Sequence, residues 1–425
     1  MSDPNEGGTA DGVVGRPALR RLVADELDEF AAYRWGREPL LTRADRLPTT
    51  FADLLDASAV DELVAQRGLR TPFLRVACNG STLPNASFTA GGGVGAGIAD
   101  QVSDDKLSAL FSDGATIVLQ GLHRTWPPLI RFVAQLATEL GHPVQANAYV
   151  TPPQSQGFAD HYDVHDVFVL QVDGEKSWRI HPPVLPAPLR DQPWTDRDRE
   201  VSERAAEPPV LEAVLRPGDC LYLPRGYLHA ATALGAVSTH LTLGVHTFTR
   251  YAIAEEVVRR ALAELAADVD LRRSLDLGVD VGDPEQTSTE LGLLRDRLVE
   301  AIVKVDGRAV ADGLGATWRG AGRAEPIGPL AQLRASQQLA GDQVLRLRSH
   351  LVAQILEPAD SGGPTGGSAR LVSRAGQVSL DPDQEPAVRQ LLRDGSASAA
   401  DLGHELARRL LVAGVVVAPD VPMTP

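Results

Sequence analysis

Cysteine is nearly absent from this chain: among 425 residues only Cys78 and Cys220 occur. Two cysteines cannot supply the framework of bridges on which small secreted domains rely. No cationic segment followed by an apolar run stands at the N-terminus, so the sequence reads as cytoplasmic. Long hydrophobic runs are also missing. The longest aliphatic stretches, such as "LLVAGVVVA", fall well short of the roughly 20 apolar residues that cross a bilayer. Positive charge is in deficit too: 41 Lys and Arg stand against 56 Asp and Glu, for a net charge of -15. Nucleic-acid surfaces draw affinity from clustered Lys and Arg that displace counterions. Specific DNA binding is therefore not expected, and a basic or neutral protein partner fits the charge better.

What is present is ordinary globular composition over a length sufficient for about three domains. Residues 1–15 are rich in glycine and acids without periodicity, and are expected to be disordered. From Arg16 to about Arg67 the apolar residues recur at helical spacing. Between Phe73 and Phe248 the character changes to short β-rich runs, "FLRVA", "ATIVLQG", "DVFVLQV", "SWRIHPP", "DCLYLP" and "STHLTLGVHTF", separated by Gly, Pro and Asp turns, with one helix from Pro127 to Leu140. That alternation predicts an antiparallel barrel or double sheet of the jelly-roll or cupin kind. The glycine-rich "AGGGVGAG" has no following phosphate-binding Lys and reads as a lid or surface loop.

Beyond Tyr251, "AIAEEVVRRALAELAADVDLRRSL" and "STELGLLRDRLVEAIVKV" carry apolar stripes, Ile253, Val257, Val258, Leu262 and Leu265 among them, that need a partner surface. "PADSGGPTGGSAR" is a linker by composition. The terminal "EPAVRQLLRDGSASAADLGHELARRLLVAGVVVAP" reads as helix, turn, helix and short strand, the order of a winged helix. Its second helix mixes Glu405 with Arg408 and Arg409, a sparse footprint for DNA. The expected organisation is an α+β chain: barrel domain over 16–250, helical and dimerising region over 251–357, linker over 358–369, and winged helix over 370–425.

The chemistry is concentrated in "HYDVHDVF", where His161, Asp163 and His165 occupy alternate positions. On a straight strand all three would share a face in a row, roughly 6–7 Å between neighbours. A 2-His-1-carboxylate site needs a triangle instead. "PGDCLYLPRGYLH" offers the missing corner, because the turns at residues 217–219 and 224–226 bring His229 onto a new course beside His161. His161, Asp163 and His229 are then the expected metal ligands, with His165 left over, either to support a ligand from behind or to pack. Fe(II) and zinc both suit such a set. After "DVFVLQV", the Asp173-Gly174 pair predicts a hairpin whose returning strand carries Lys176. Lys176 is then either a solvated turn residue or the cation that binds the far carboxylate of a co-substrate.

The run "NAYVTPPQSQGFADHYDVHDVFVLQVDGEKSWRI", with "GDCLYLPRGYLH" and "STHLTL", resembles the JmjC-type ribosomal oxygenases, Fe(II)- and 2-oxoglutarate-dependent protein hydroxylases of the cupin superfamily. The resemblance extends through "YRWGREPLL", "QGLHRTWPPL", the helical region and the terminal module. It implies a double-stranded β-helix fold, iron on His161, Asp163 and His229, and O2 and 2-oxoglutarate as co-substrates. Lys176 would hold the 2-oxoglutarate tail, and Asn147, Tyr149, His240 and Thr242 would line the same pocket. It also implies a homodimer and a basic ribosomal protein as substrate. The interval between His229 and His240 looks like a loop shorter than the family's. The alternatives are hydroxylation of another peptide or small molecule, and a non-catalytic metal-binding cupin that acts as an interaction module.

Overall fold

The computed structural model describes residues 15–78, 80–357 and 368–418. The expected disordered N-terminus and most of the expected linker lie outside the described residues. The chain folds as two compact units, whose boundary in sequence falls between Thr247 and Phe248.

Among the described residues the first unit contains eleven strands: β1 Leu40–Thr42, β2 Leu74–Cys78, β3 Ser81–Thr82, β4 Thr89–Ala90, β5 Gln101–Val102, β6 Thr116–Leu119, β7 Val144–Thr151, β8 Asp166–His181, β9 Leu211–Leu215, β10 Cys220–Leu223 and β11 Leu228–Val245. Nine of them form one antiparallel sheet in the order β1-β10-β8-β11-β7-β6-β2-β3, with β9 added to β8. β4 and β5 pair separately, and the "AGGGVGAG" stretch connects them. The helix Pro127–Leu140 starts on consecutive prolines and ends at Gly141 in the left-handed region, whose N–H caps the Ala137 carbonyl. The segment from Arg16 to Arg67 is less helical than its periodicity suggests. Helices Pro17–Val23 and Ala57–Gln66 flank a π-helical turn at Phe30–Arg34 and strand β1.

The two longest strands, β8 and β11, pair along nearly their whole length and position the site. Here the structure corrects the expected hairpin. Asp173 and Gly174 lie inside the continuous strand β8, with Gly174 at φ +62°. Opposite them the register with β11 shifts between Leu234 and Thr239. The pair is therefore a bulge, and the local demand for positive φ that marks a hairpin turn is equally met by a bulge. The Gln171 amide fixes it, donating to the carbonyls of Asp173 (2.8 Å) and Gly174 (3.1 Å) and to the Ser238 hydroxyl (2.9 Å). The expected short loop between His229 and His240 is likewise the bulged middle of β11.

A bulge changes which parity of residue faces inward, because side chains alternate with period two. Before the bulge in β8, Val167 and Val169 face the cavity; after it, Lys176 and Trp178 do. In β11 the same switch brings His229 and Ala231, then His240 and Thr242, to one side. On the other face of β8, Phe168 packs against Phe30 and Tyr222, with ring centroids 6.0 and 4.9 Å away.

The second unit begins with helix Arg250–Leu265, capped by the Thr249 hydroxyl, followed by helices Pro284–Lys304, Gly307–Ala321 and Pro329–Gln337. This helical region ends there, earlier than the expected limit at 357. Strands β12 Val344–Leu347 and β13 Gln354–Leu356 follow, then β14 Ala369–Ser373, β15 Gly376–Leu380, β16 Ser396–Ser398 and β17 Val416–Val417. β12 lies between β16 and β17, so the C-terminal module recruits chain from well before residue 370. A four-residue strand carries too little period to be read locally; pairing with distant partners defines it. Helices Glu385–Asp394 and His404–Val412, with β17, supply the expected helix, turn, helix and strand.

Candidate metal and co-substrate site

A cavity of about 350 Å³ opens within the first unit and is lined from β2, β3, β6, β7, β8 and β11. His161, Asp163 and His229 stand on its wall with one ligand atom from each lying within 4.8 Å of the others, the triangle that a row on one strand could not make. The segment holding His161 and Asp163 is irregular and meets β11 through isolated bridges, at Gln156 with Thr232 and at His161 with His229. The His161 N–H donates to the His229 carbonyl (3.3 Å), and the His161 carbonyl accepts the His229 N–H (2.8 Å).

Each imidazole is oriented by the backbone. Nδ1 of His161 lies 2.8 Å from the Ala159 carbonyl and Nδ1 of His229 lies 3.1 Å from that of Tyr227. With Nδ1–H donated in both, each Nε2 keeps its lone pair for the centre. His229 Nε2 is 3.8 Å from Asp163 Oδ2, and the two imidazole centroids are 4.4 Å apart. Burial, together with the neighbouring His161, pushes His229 down to about 4, so its imidazole is neutral at pH 7. Burial works to raise Asp163, but His165, His229, His161 and Arg75 outweigh it and hold the carboxyl below its ordinary value. A neutral imidazole beside an ionised carboxylate offers donors for a divalent ion. His165 turns away: its ring meets His246 edge-on at 5.1 Å, and its Nε2 is 3.4 Å from the Gln145 amide.

Lys176 faces the same cavity and is 4% exposed. Its Nζ donates to Thr151 Oγ1 at 3.0 Å, and Thr151 Oγ1 is 3.3 Å from Thr116 Oγ1. Among the described residues Lys176 forms no ion pair. Burial pushes its ammonium down to about 7. A buried cation without a protein anion is a site waiting for an anionic ligand.

The other expected contacts divide. Tyr149, His240 and Thr242 line the cavity. The Tyr149 and His240 rings stack at 4.9 Å with 2° between planes, and His240, held well down by burial, stays neutral. Asn147 does not line the cavity; its Oδ1 accepts the Gly121 N–H at 3.0 Å. Thr116, Thr151, Trp178 and Arg75 escaped the sequence reading. Thr151 lies two residues from Tyr149, and Trp178 two from Lys176, so alternation on one strand could have found both. Arg75 comes from a distant strand, with its guanidinium 5.2 Å above the Phe158 ring and no motif to mark it.

The JmjC domain family matches residues 125–253, which contain the three candidate metal ligands and Lys176. The bifunctional lysine-specific demethylase and histidyl-hydroxylase NO66 of Aedes aegypti is 29% identical over 271 residues, 63% of this chain and 41% of that protein. Human ribosomal oxygenase 1 is 40% identical over 154 residues, 34% of this chain and 23% of that protein. The chain thus carries a JmjC domain over residues 125–253 and is similar in sequence to the ribosomal oxygenases. It spans about two fifths of the length of the NO66 relatives from Aedes aegypti and Culex quinquefasciatus, 41% and 40% respectively. In fold, it resembles the Escherichia coli ribosomal oxygenase YcfD solved with cobalt and 2-oxoglutarate. The TM-score is 0.53, with 16% identity over 92% of this chain and 98% of that one. That likeness is one of fold.

Proposed function

We propose that this chain is an Fe(II)- and 2-oxoglutarate-dependent oxygenase that hydroxylates a side chain of a protein, with a ribosomal protein as substrate. The observation that carries the reading is Lys176: a buried ammonium, paired with no acid among the described residues, in the cavity that also holds a 2-His-1-carboxylate cluster. A structural metal site has no use for it, whereas a dicarboxylate co-substrate needs a cation remote from the metal.

His161, Asp163 and His229 would hold the ferrous ion, which with 2-oxoglutarate supplies the oxidising chemistry for dioxygen activation. The chain's own residues do the remaining work. Lys176, steadied by Thr151, would bind the distal carboxylate, and Thr116 adds a second hydroxyl there. Tyr149, His240 and Thr242 would shape the co-substrate pocket, while Val167, Val169 and Trp178 exclude water from its floor. Asn147 would act indirectly, by fixing the turn at Gly121.

The name of the human relative points to ribosomal substrates, and the net charge of -15 favours a basic partner. The half-exposed apolar residues Ile253, Val258 and Leu262 support pairing of two copies through the second unit. Its C-terminal module, read as a winged helix, would serve protein contact. A cytoplasmic setting accords with this reading; among the described residues no helix is long and apolar enough to cross a membrane. The test is conversion of 2-oxoglutarate to succinate by the full chain with Fe(II), measured with and without ribosomal proteins from the host. Stimulation by the ribosomal fraction is expected, and turnover indifferent to it would remove the assigned substrate class.

A further inference from the structure

Asp166 and Arg225 lie outside the cavity lining, yet both are tied to the strands that carry the candidate ligands. We propose that the Asp166–Arg225 pair is a positioning clamp that sets the separation of Asp163 and His229 for metal capture. The inference rests on the metal-site reading above.

The two ligand-bearing segments run antiparallel and are joined by a short ladder. His161 and His229 exchange both backbone hydrogen bonds, and the Gly226 N–H donates to the Asp163 carbonyl at 3.0 Å. Beyond Asp163 the backbone rungs of this ladder give way to a side-chain rung. Asp166 is fully buried, and its Oδ1 accepts the Arg225 N–H at 3.0 Å and the Arg225 guanidinium at 3.4 Å. Its Oδ2 accepts the Tyr222 hydroxyl at 2.6 Å, and that hydroxyl oxygen in turn accepts the Gly36 N–H at 2.8 Å. Arg225 Nη1 also donates to Thr247 Oγ1 at 3.1 Å, which anchors it beyond the end of β11.

The turn at residues 224–226 is the only covalent approach to His229 from β10, and Gly226 there sits at φ +91°. The Asp166 carboxylate grips it at Arg225, one residue before the rung to Asp163. The charge is fully buried, so releasing Arg225 would leave an uncompensated carboxylate and drive local rearrangement. That rearrangement falls on the Gly226–Asp163 rung and on Tyr227, whose carbonyl orients the His229 ring. Partners of this outer kind tune metal affinity without touching the ion.

The experiment is a Co(II) titration of the full-length chain, following visible absorption and binding heat, alongside thermal unfolding. Asp166→Asn and Arg225→Gln are each expected to weaken Co(II) binding by about 10- to 100-fold and to change the spectrum. The double variant should be no worse than the weaker single one, and Arg225→Lys should fall in between. Arg43→Gln, which breaks the Arg43–Asp219 pair (2.7 Å) elsewhere in the unit, should lower the melting temperature but leave Co(II) affinity unchanged. Should Asp166→Asn not fold, Thr247→Val loosens Arg225 alone and should give a smaller loss in the same direction. Wild-type affinity and spectrum in folded Asp166 and Arg225 or Thr247 variants would overturn the clamp while leaving the metal site standing. Failure of the wild-type chain to bind Co(II) would overturn the metal site, and the clamp with it.

Discussion

Lys176, in the wall of a cavity, donates to the Thr151 hydroxyl at 3.0 Å and forms no ion pair among the described residues. The fold tolerates an uncompensated buried cation there, and that cost is the clearest mark of a ligand still to come.

Replacing Lys176 by Met should therefore separate stability from function. The substitution removes an unpaired buried charge at similar volume, so the melting temperature of the ligand-free chain should rise. Binding of 2-oxoglutarate should weaken by about 30-fold to several thousand-fold, the equivalent of roughly 2–5 kcal/mol for a charged pair in a partly dry pocket. Co(II) affinity should hardly move. Calorimetric titration of Co(II) and then 2-oxoglutarate checks both parts, and unchanged 2-oxoglutarate binding would remove Lys176 from the site.

The same residue predicts a pH dependence. Its folded value of about 7 lies below the ordinary 10.5, so between these values the unfolded chain holds a proton that the folded chain has released. Stability of the ligand-free chain should then rise with pH across that window through this group. Binding of a dianion demands the charged form and should show the reverse trend, with affinity falling above about pH 7. Titration at pH 8 in two buffers of different ionisation heat should reveal proton uptake on binding; identical heats would contradict it.

Single alanine substitutions at His161, Asp163 and His229 should each abolish turnover and strip Co(II) from the chain, while His165→Ala should leave Co(II) bound. The separation follows from the His165 ring, which faces His246 and Gln145 and not the triangle. Loss of Co(II) in His165→Ala with retention in His229→Ala would reverse the assignment.

Gly174→Ala should be among the most damaging single-methyl changes in the chain. At φ +62° an added Cβ would lie 2.1 Å from the Val237 carbonyl oxygen, so backbone must move. Positive φ alone costs a non-glycine residue roughly 1–2 kcal/mol. Because the bulge sets the parity that turns Lys176 inward, 2-oxoglutarate binding should fall along with the melting temperature. A variant with wild-type 2-oxoglutarate affinity would show that the bulge does not govern Lys176.

That bulge also marks where the sequence stopped being readable. The triad could be read because a row of three on one strand fails sterically and a turn-rich segment offered a substitute. The helix Pro127–Leu140 was bounded by its own prolines and glycine. Asp173-Gly174 announced positive φ, but whether positive φ closes a hairpin or opens a bulge is decided by the facing strand, some 60 residues away in sequence. Asn147 was placed correctly on the strand, but its amide serves a turn whose proximity only the fold creates. β12 was hidden for the same reason: Leu345 is buried only because β16 and β17 lie beside it.

For the C-terminal module, binding to duplex DNA at physiological salt should be weak and without sequence preference. Arg408 pairs with Glu405 at 3.1 Å and Arg409 reaches Gln384 at 3.3 Å, so the two cations of the second helix are already engaged. An anisotropy titration showing nanomolar, sequence-selective binding would overturn this.

The most direct test of the account is intact-mass analysis of host ribosomal proteins after incubation with the full chain, Fe(II), 2-oxoglutarate and isotopically labelled dioxygen. One protein should gain a single labelled oxygen atom, and Asp163→Ala and Lys176→Met should leave it unmodified. Unchanged masses throughout the pool, from a chain that binds both Co(II) and 2-oxoglutarate, would contradict the assignment of a ribosomal protein hydroxylase.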